Sequence, residues 1–170
     1  AFSVIFFTVT SGAGYGLISL LSLLNFLNLG MLLDKNTFFI TAGVAIALFT
    51  MGLISSTFHL ANPKNAWRAF MRFRTSWLAR EGLLAIIFYP LIILYLFLIY
   101  IDFQIDQYFF MQAYSFFIFL VSIIIIHCTG MIYACLKTIP QWNTFWTPIN
   151  YITIGIFLGS LILFFIFYLN

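Results

Sequence analysis

The run Ile123-Ile124-Ile125-Ile126 lies inside an apolar stretch of about residues 108–136, and this stretch decides the fold class. Successive side chains of a β-strand point to opposite faces, so a strand of a membrane β-barrel alternates apolar and polar positions. Four consecutive isoleucines exclude that alternation. A stretch of this length is instead long enough to cross the hydrocarbon core of a bilayer as one α-helix.

Four more apolar stretches flank this one, at about residues 2–24, 37–60, 82–101 and 149–169. Of the 170 residues, 64% are hydrophobic and only 6% are charged, whereas soluble domains carry about 25% charged residues. We therefore predict an all-α, polytopic transmembrane helical bundle with about five spans. Residues 1–170 form a single transmembrane domain in this prediction, as part of a larger bundle.

Residues 61–81 form a basic interfacial connection between the second and third spans. Five of the seven Lys and Arg residues lie in it: Lys64, Arg68, Arg72, Arg74 and Arg80. Because membrane loops rich in Lys and Arg stay in the cytoplasm, we place this connection on the cytoplasmic face. The net charge of +3 therefore reflects membrane topology and does not indicate nucleic-acid binding. Topology and interfacial anchoring by tryptophans are an alternative explanation for the whole segment.

His59 and Glu81 lie at the two ends of this connection, where the apolar spans stop and resume. A short connection brings these helix ends together, so we expect an imidazole and a carboxylate to share one pocket near the membrane boundary. Ionisable residues at such a depth indicate a functional site. Two alternatives stay open: Glu81 interacts with its helix N-terminus or with a neighbouring arginine, and His59 makes only an interfacial hydrogen bond.

A quinone head group suits such a pocket, because it exchanges two protons in each turnover and enters from the bilayer. Histidine and a partly buried glutamate are suitable proton carriers, and Trp67 and Trp77 can supply aromatic walls. A haem b would need two axial histidines at equal depth. We predict His127 roughly 15 Å below the boundary at which His59 lies, so a bis-histidine haem is disfavoured, and no metal-binding residues are proposed.

Gly12 and Gly16 form a small-xxx-small pattern in the first span. Small residues with this spacing let the backbone of a second helix approach closely. We therefore predict that they form a helix-packing face.

The segments His59-Leu-Ala-Asn-Pro63 and Ser76-Trp-Leu-Ala-Arg-Glu81 resemble the membrane-anchor subunit family of dimethyl sulfoxide reductase, the DmsC family. Thr138-Ile-Pro-Gln-Trp-Asn-Thr-Phe-Trp-Thr-Pro148 agrees with the same family. The resemblance covers essentially the whole chain. The opening run, residues 1–16, is more similar to the branch that serves cytoplasm-facing sulfite:quinone oxidoreductases.

The resemblance implies a haem-free, non-catalytic subunit in the bacterial inner membrane, which binds no cofactor by itself. Its partners would be an iron–sulfur subunit with four clusters and a molybdopterin catalytic subunit. Electrons would pass between menaquinone or ubiquinone and the nearest cluster. The family's quinol-site histidine and glutamate map onto His59 and Glu81. The residues expected to dock the iron–sulfur subunit are Lys64, Arg68, Arg72, Arg74 and Arg80.

The sequence departs from the family in two respects. The family usually has more than five spans. In dimethyl sulfoxide reductase itself the soluble subunits lie outside the cytoplasm, which disagrees with the charge bias of this chain. Two other functions stay open: a passive membrane scaffold for soluble redox subunits without its own quinone site, and a haem b anchor.

Overall fold

The computed structural model describes residues 2–29, 33–57, 72–101 and 108–169, and within these ranges it contains no β-strand. All five long helices in this part of the chain are long and apolar enough to cross a membrane. They are α1 (Phe2–Phe26), α2 (Lys35–Thr57), α3 (Trp77–Tyr100), α4 (Tyr108–Ala134) and α5 (Trp146–Leu169). The predicted all-α transmembrane bundle is thereby confirmed.

Helix α3 begins at Trp77, five residues before the predicted span. Ser76 has an extended backbone with φ −117° and ψ 122°, and its hydroxyl accepts a hydrogen bond from the backbone N–H of Ala79 at 3.4 Å. A serine in this conformation is a favourable helix N-cap. The last residues of the predicted connection are therefore helical, and Glu81 lies in the second turn of α3 rather than at its start.

Polar contacts near the helix ends establish the relative directions of the helices. Near the start of α1, the Ser55 hydroxyl of α2 donates to the carbonyl of Ser3 at 3.1 Å. Near the end of α1, the Asn25 amide donates to the Tyr95 hydroxyl of α3 at 3.0 Å and to the Ser115 hydroxyl of α4 at 3.2 Å. Helices α1 and α3 therefore run in the same direction, with α2 and α4 antiparallel to them. We call the end where α1, α3 and α5 begin the basic end.

Helix α1 is the centre of the bundle and packs against α2, α4 and α5. It approaches α5 most closely at Gly16, where an added Cβ atom would lie 2.0 Å from the carbonyl oxygen of Gly155. A Cβ atom on Gly159 would lie 2.5 Å from the backbone nitrogen of Leu17. The two helices thus meet backbone to backbone, and Gly12 faces Gly155 at the same crossing.

Three aromatic side chains join α1, α2 and α3 in the middle of the bundle. The ring of Tyr15 stacks on Phe49 with centroids 4.8 Å apart and meets Phe88 edge-on at 5.5 Å. Phe49 and Phe88 are themselves 5.9 Å apart. This cluster attaches α3 to the first two helices below the site described next.

Candidate functional site

Glu81 is the only buried Asp, Glu, Lys or Arg among the described residues, with 3% of its surface exposed. Its carboxyl group accepts a hydrogen bond from the Thr129 hydroxyl on α4. The same hydroxyl also contacts the carbonyl oxygen of Ile125, at 3.2 Å. Because a buried carboxyl group is costly without a polar partner, the hydrogen bond from Thr129 stabilises Glu81 between α3 and α4.

Arg80, the neighbour of Glu81, is directed towards the preceding turn. Its guanidinium group donates to the carbonyl oxygen of Phe73 at 2.9 Å and to that of Arg74 at 2.7 Å. It also lies 4.2 Å above the ring of Trp77, a distance at which a cation is attracted to the aromatic face. Arg80 is therefore bonded to backbone carbonyl groups, and the Glu81 carboxyl group accepts its hydrogen bond from Thr129.

His127 lies beside Trp77, the first residue of α3. The two rings meet edge to face, with centroids 6.0 Å apart. From the sequence we predicted His127 roughly 15 Å below the boundary at which His59 lies, and His59 is outside the described residues. In the structure α4 ends at Ala134, seven residues beyond His127, and the His127 ring contacts the first residue of α3.

Two further aromatic side chains lie on the α4 and α5 side of Glu81. The rings of Tyr133 and Tyr151 stack with centroids 5.4 Å apart, and Trp142 meets Tyr133 edge-on at 5.4 Å. Both tyrosines are close enough to Glu81 for electrostatic interaction. Neither was assigned to the site from the sequence, since a tyrosine near a helix end is typical of the membrane boundary.

The structure brings together only part of the predicted site. Trp77, Arg80 and Glu81 share the first two turns of α3, and Arg72 and Arg74 are exposed in the turn before it. Gly12 and Gly16 lie at the crossing of α1 and α5. The remaining predicted residues are outside the described part of the chain: His59, Lys64, Trp67 and Arg68.

The described residues contain no group of three or more His, Cys, Asp or Glu side chains that could hold a metal ion. Cys128 is buried and Cys135 exposed, and both are free thiols. The described residues of the basic end offer a buried carboxyl group, hydroxyl groups, an imidazole and flat aromatic surfaces.

Comparison with known proteins identifies a family and a relative. A family model described as DMSO reductase anchor subunit (DmsC) matches residues 1–170. A sulfite dehydrogenase subunit of Allochromatium vinosum is 32% identical over 173 residues, which cover 91% of this chain and 51% of that protein. The chain thus spans about half the length of this relative. No solved structure gives a significant match.

Proposed function

This chain belongs to the DMSO reductase anchor subunit (DmsC) family, as the sequence resemblance predicted, and we propose that it exchanges electrons and protons with membrane quinone. It would anchor an iron–sulfur subunit and a molybdopterin catalytic subunit at the membrane. The name of the relative, a subunit of sulfite dehydrogenase, supports a sulfite-oxidising complex. In such a complex, electrons leave the soluble subunits and enter the quinone.

The main support for this proposal is the buried carboxyl group of Glu81 near the basic end. Reduction of a quinone to a quinol takes up two electrons and two protons, one proton at each carbonyl oxygen. Glu81 lies one turn inside α3 and is hydrogen-bonded to Thr129. A carboxyl group within hydrogen-bond reach of a substrate oxygen can act as a general acid in one direction and a general base in the other.

The side chains around Glu81 suit a flat head group with a lipid tail. Trp77, Tyr133 and Tyr151 provide apolar ring faces, and His127 adds an imidazole beside Trp77. We also propose His59 as a proton-exchanging partner, since it follows Thr57, the last residue of α2, by two positions. Helix α2 ends at the same basic end at which α3 begins.

The exposed surface of the basic end supports docking of the soluble subunits there. Arg72 and Arg74 are exposed immediately before α3. Phe145 and Trp146 are exposed at the start of α5. A partner with an acidic surface would bind within a short distance of Glu81, as electron transfer to quinone requires. We propose that this surface faces the cytoplasm.

The test is Glu81→Gln in the full-length protein, assembled with its partners in native membranes. Glutamine keeps the volume of the side chain and an oxygen that accepts from Thr129, so assembly should be unaffected. We expect quinone-linked turnover to fall about 100-fold or more, the usual contribution of a general acid–base group. Turnover of the catalytic subunit with a soluble electron acceptor serves as the control and should not change. His59→Ala is tested in parallel.

Unchanged quinone-linked turnover and unchanged binding of a quinone-site inhibitor in Glu81→Gln would refute the proposed site. A passive scaffold without its own quinone site predicts a different result for the Glu81 variant. Substitution of Glu81 would then have no effect on turnover, whereas charge reversal at Arg72 and Arg74 would release the soluble subunits under either model.

A further inference from the structure

Tyr15 has a buried hydroxyl group with no hydrogen-bond partner among the described residues. The residue is 1% exposed, and its ring is fixed between Phe49 and Phe88. A buried hydroxyl without a partner is costly, whereas phenylalanine would make the same ring contacts without that cost. Packing therefore explains the ring of Tyr15 but not its hydroxyl group.

The orientation of the helices directs this hydroxyl group towards Glu81. Phe88 follows Glu81 by seven residues, so it lies on the same face of α3, about 10 Å deeper in the bundle. Side chains lean towards the N-terminus of their helix, and α1 and α3 both begin at the basic end. Tyr15 therefore leans from the level of Phe88 towards the basic end, where Glu81 lies, and the two groups interact electrostatically.

Glu81 has room for a second hydrogen-bond donor, since an ionised carboxylate offers about four acceptor sites. Thr129 fills one of them. The titratable groups that interact electrostatically with Glu81 come from three other helices, namely Tyr15 of α1, Cys128 and Tyr133 of α4, and Tyr151 of α5. A thiol is a weak donor, and Tyr133 and Tyr151 stack on each other. Of these groups, Tyr15 has the buried hydroxyl without a hydrogen-bond partner among the described residues.

We propose that the Tyr15 hydroxyl is the inner hydrogen-bond donor to the Glu81 carboxylate, through one bridging water molecule. Tyr15 is then a positioning residue for proton exchange, and this inference rests on the proposed role of Glu81. When Glu81 gives its proton to a quinone oxygen, the hydroxyl groups of Thr129 and Tyr15 stabilise the remaining negative charge. Tyr15 keeps its own proton, so this step needs no further oxidant or reductant.

Tyr15→Phe in the assembled complex tests this inference, because it removes the hydroxyl and keeps the ring. Hydrogen bonds to a charged group are the stronger ones, so the variant loses support for the ionised carboxylate. We expect quinone-linked turnover to fall about tenfold. The part of the pH profile that depends on ionised Glu81 should move about one unit to higher pH. Binding of a quinone-site inhibitor should be unchanged.

Tyr95→Phe is the matched control, since Tyr95 is also 1% exposed. Its hydroxyl is hydrogen-bonded to Asn25 and Ser115 at the opposite end of the bundle. Tyr95→Phe should lower stability without moving the pH profile. Tyr15→Phe should move the pH profile.

Three results would overturn the inference. The first is a Tyr15→Phe variant with normal turnover and a normal pH profile while Glu81→Gln is impaired, which leaves the proposed function intact. The second is a further loss of turnover when Tyr15→Phe is added to Glu81→Gln, because a donor to Glu81 should have no effect there. The third is unimpaired Glu81→Gln, which removes the proposed function and this inference together.

Discussion

Replacement of Gly16 by alanine should force α1 and α5 apart. The new Cβ atom would lie 2.0 Å from the carbonyl oxygen of Gly155, 2.4 Å from its carbonyl carbon and 3.0 Å from the nitrogen of Ile156. All three are helix backbone atoms, so none can rotate out of the way. Because real Cβ atoms essentially never approach closer than 3.0 Å, the two helices must separate by about 1 Å at the crossing.

The free-energy cost follows from two opposing effects. Overpacking of a well-packed interior costs about 1–3 kcal/mol, and here the displaced element is a whole helix. Alanine offsets up to about 1 kcal/mol, since it is a better helix former than glycine. We therefore expect the free energy of unfolding to fall by about 1–2 kcal/mol. Gly43→Ala in α2 is the matched control, because nothing lies within 4 Å of its added Cβ; it should be neutral or stabilising.

Both variants can be compared with the wild-type protein by equilibrium unfolding in a mild detergent. The decisive quantity is the difference between the two alanine variants, since the intrinsic preference of alanine for helix is common to both. A Gly16→Ala protein as stable as the Gly43→Ala protein would refute the backbone-to-backbone contact between α1 and α5.

Two further substitutions test the polar contacts between helices. Thr129→Val keeps the shape of the side chain but leaves the Glu81 carboxyl without this donor; we expect a loss of about 1–3 kcal/mol in the free energy of unfolding, and Thr129→Ser should restore most of it. Asn25→Ala removes the interhelical hydrogen bonds to Tyr95 and Ser115 and should cost about 1 kcal/mol, with no change in quinone-linked turnover. A loss of turnover in Asn25→Ala at full assembly would contradict the placement of the site at the basic end.

The five helices were predictable because the lipid environment permits few backbone conformations. A backbone that crosses the hydrocarbon core must satisfy all of its hydrogen bonds internally, so the length of each apolar stretch is enough to predict a helix. The start of α3 was less predictable. Trp77 and Arg80 are residue types typical of a membrane boundary, so we predicted them to be part of the connection. In the structure they belong to a helical turn that begins after the Ser76 cap.

Half of the candidate site could be predicted, and the other half depends on contacts between distant residues. Glu81 was identified as a lone acidic residue at the edge of an apolar span. Thr129 was not, because a threonine in a helix commonly bonds its own backbone, and its carboxyl partner lies 48 residues away in the sequence. Nor does any pattern in the sequence reveal that the Tyr15 hydroxyl is buried without a described partner.

The crossing of α1 and α5 also has a consequence for biosynthesis in the membrane. The glycine face of α1 is made early, whereas Gly155 and Gly159 are translated only after three more helices have entered the bilayer. Contacts between residues so distant in sequence form late, and a helix that awaits its partner exposes a surface prone to wrong association. A chain that lacks α5 would have an open groove along α1. That groove would distinguish an incomplete chain from a finished one during membrane quality control.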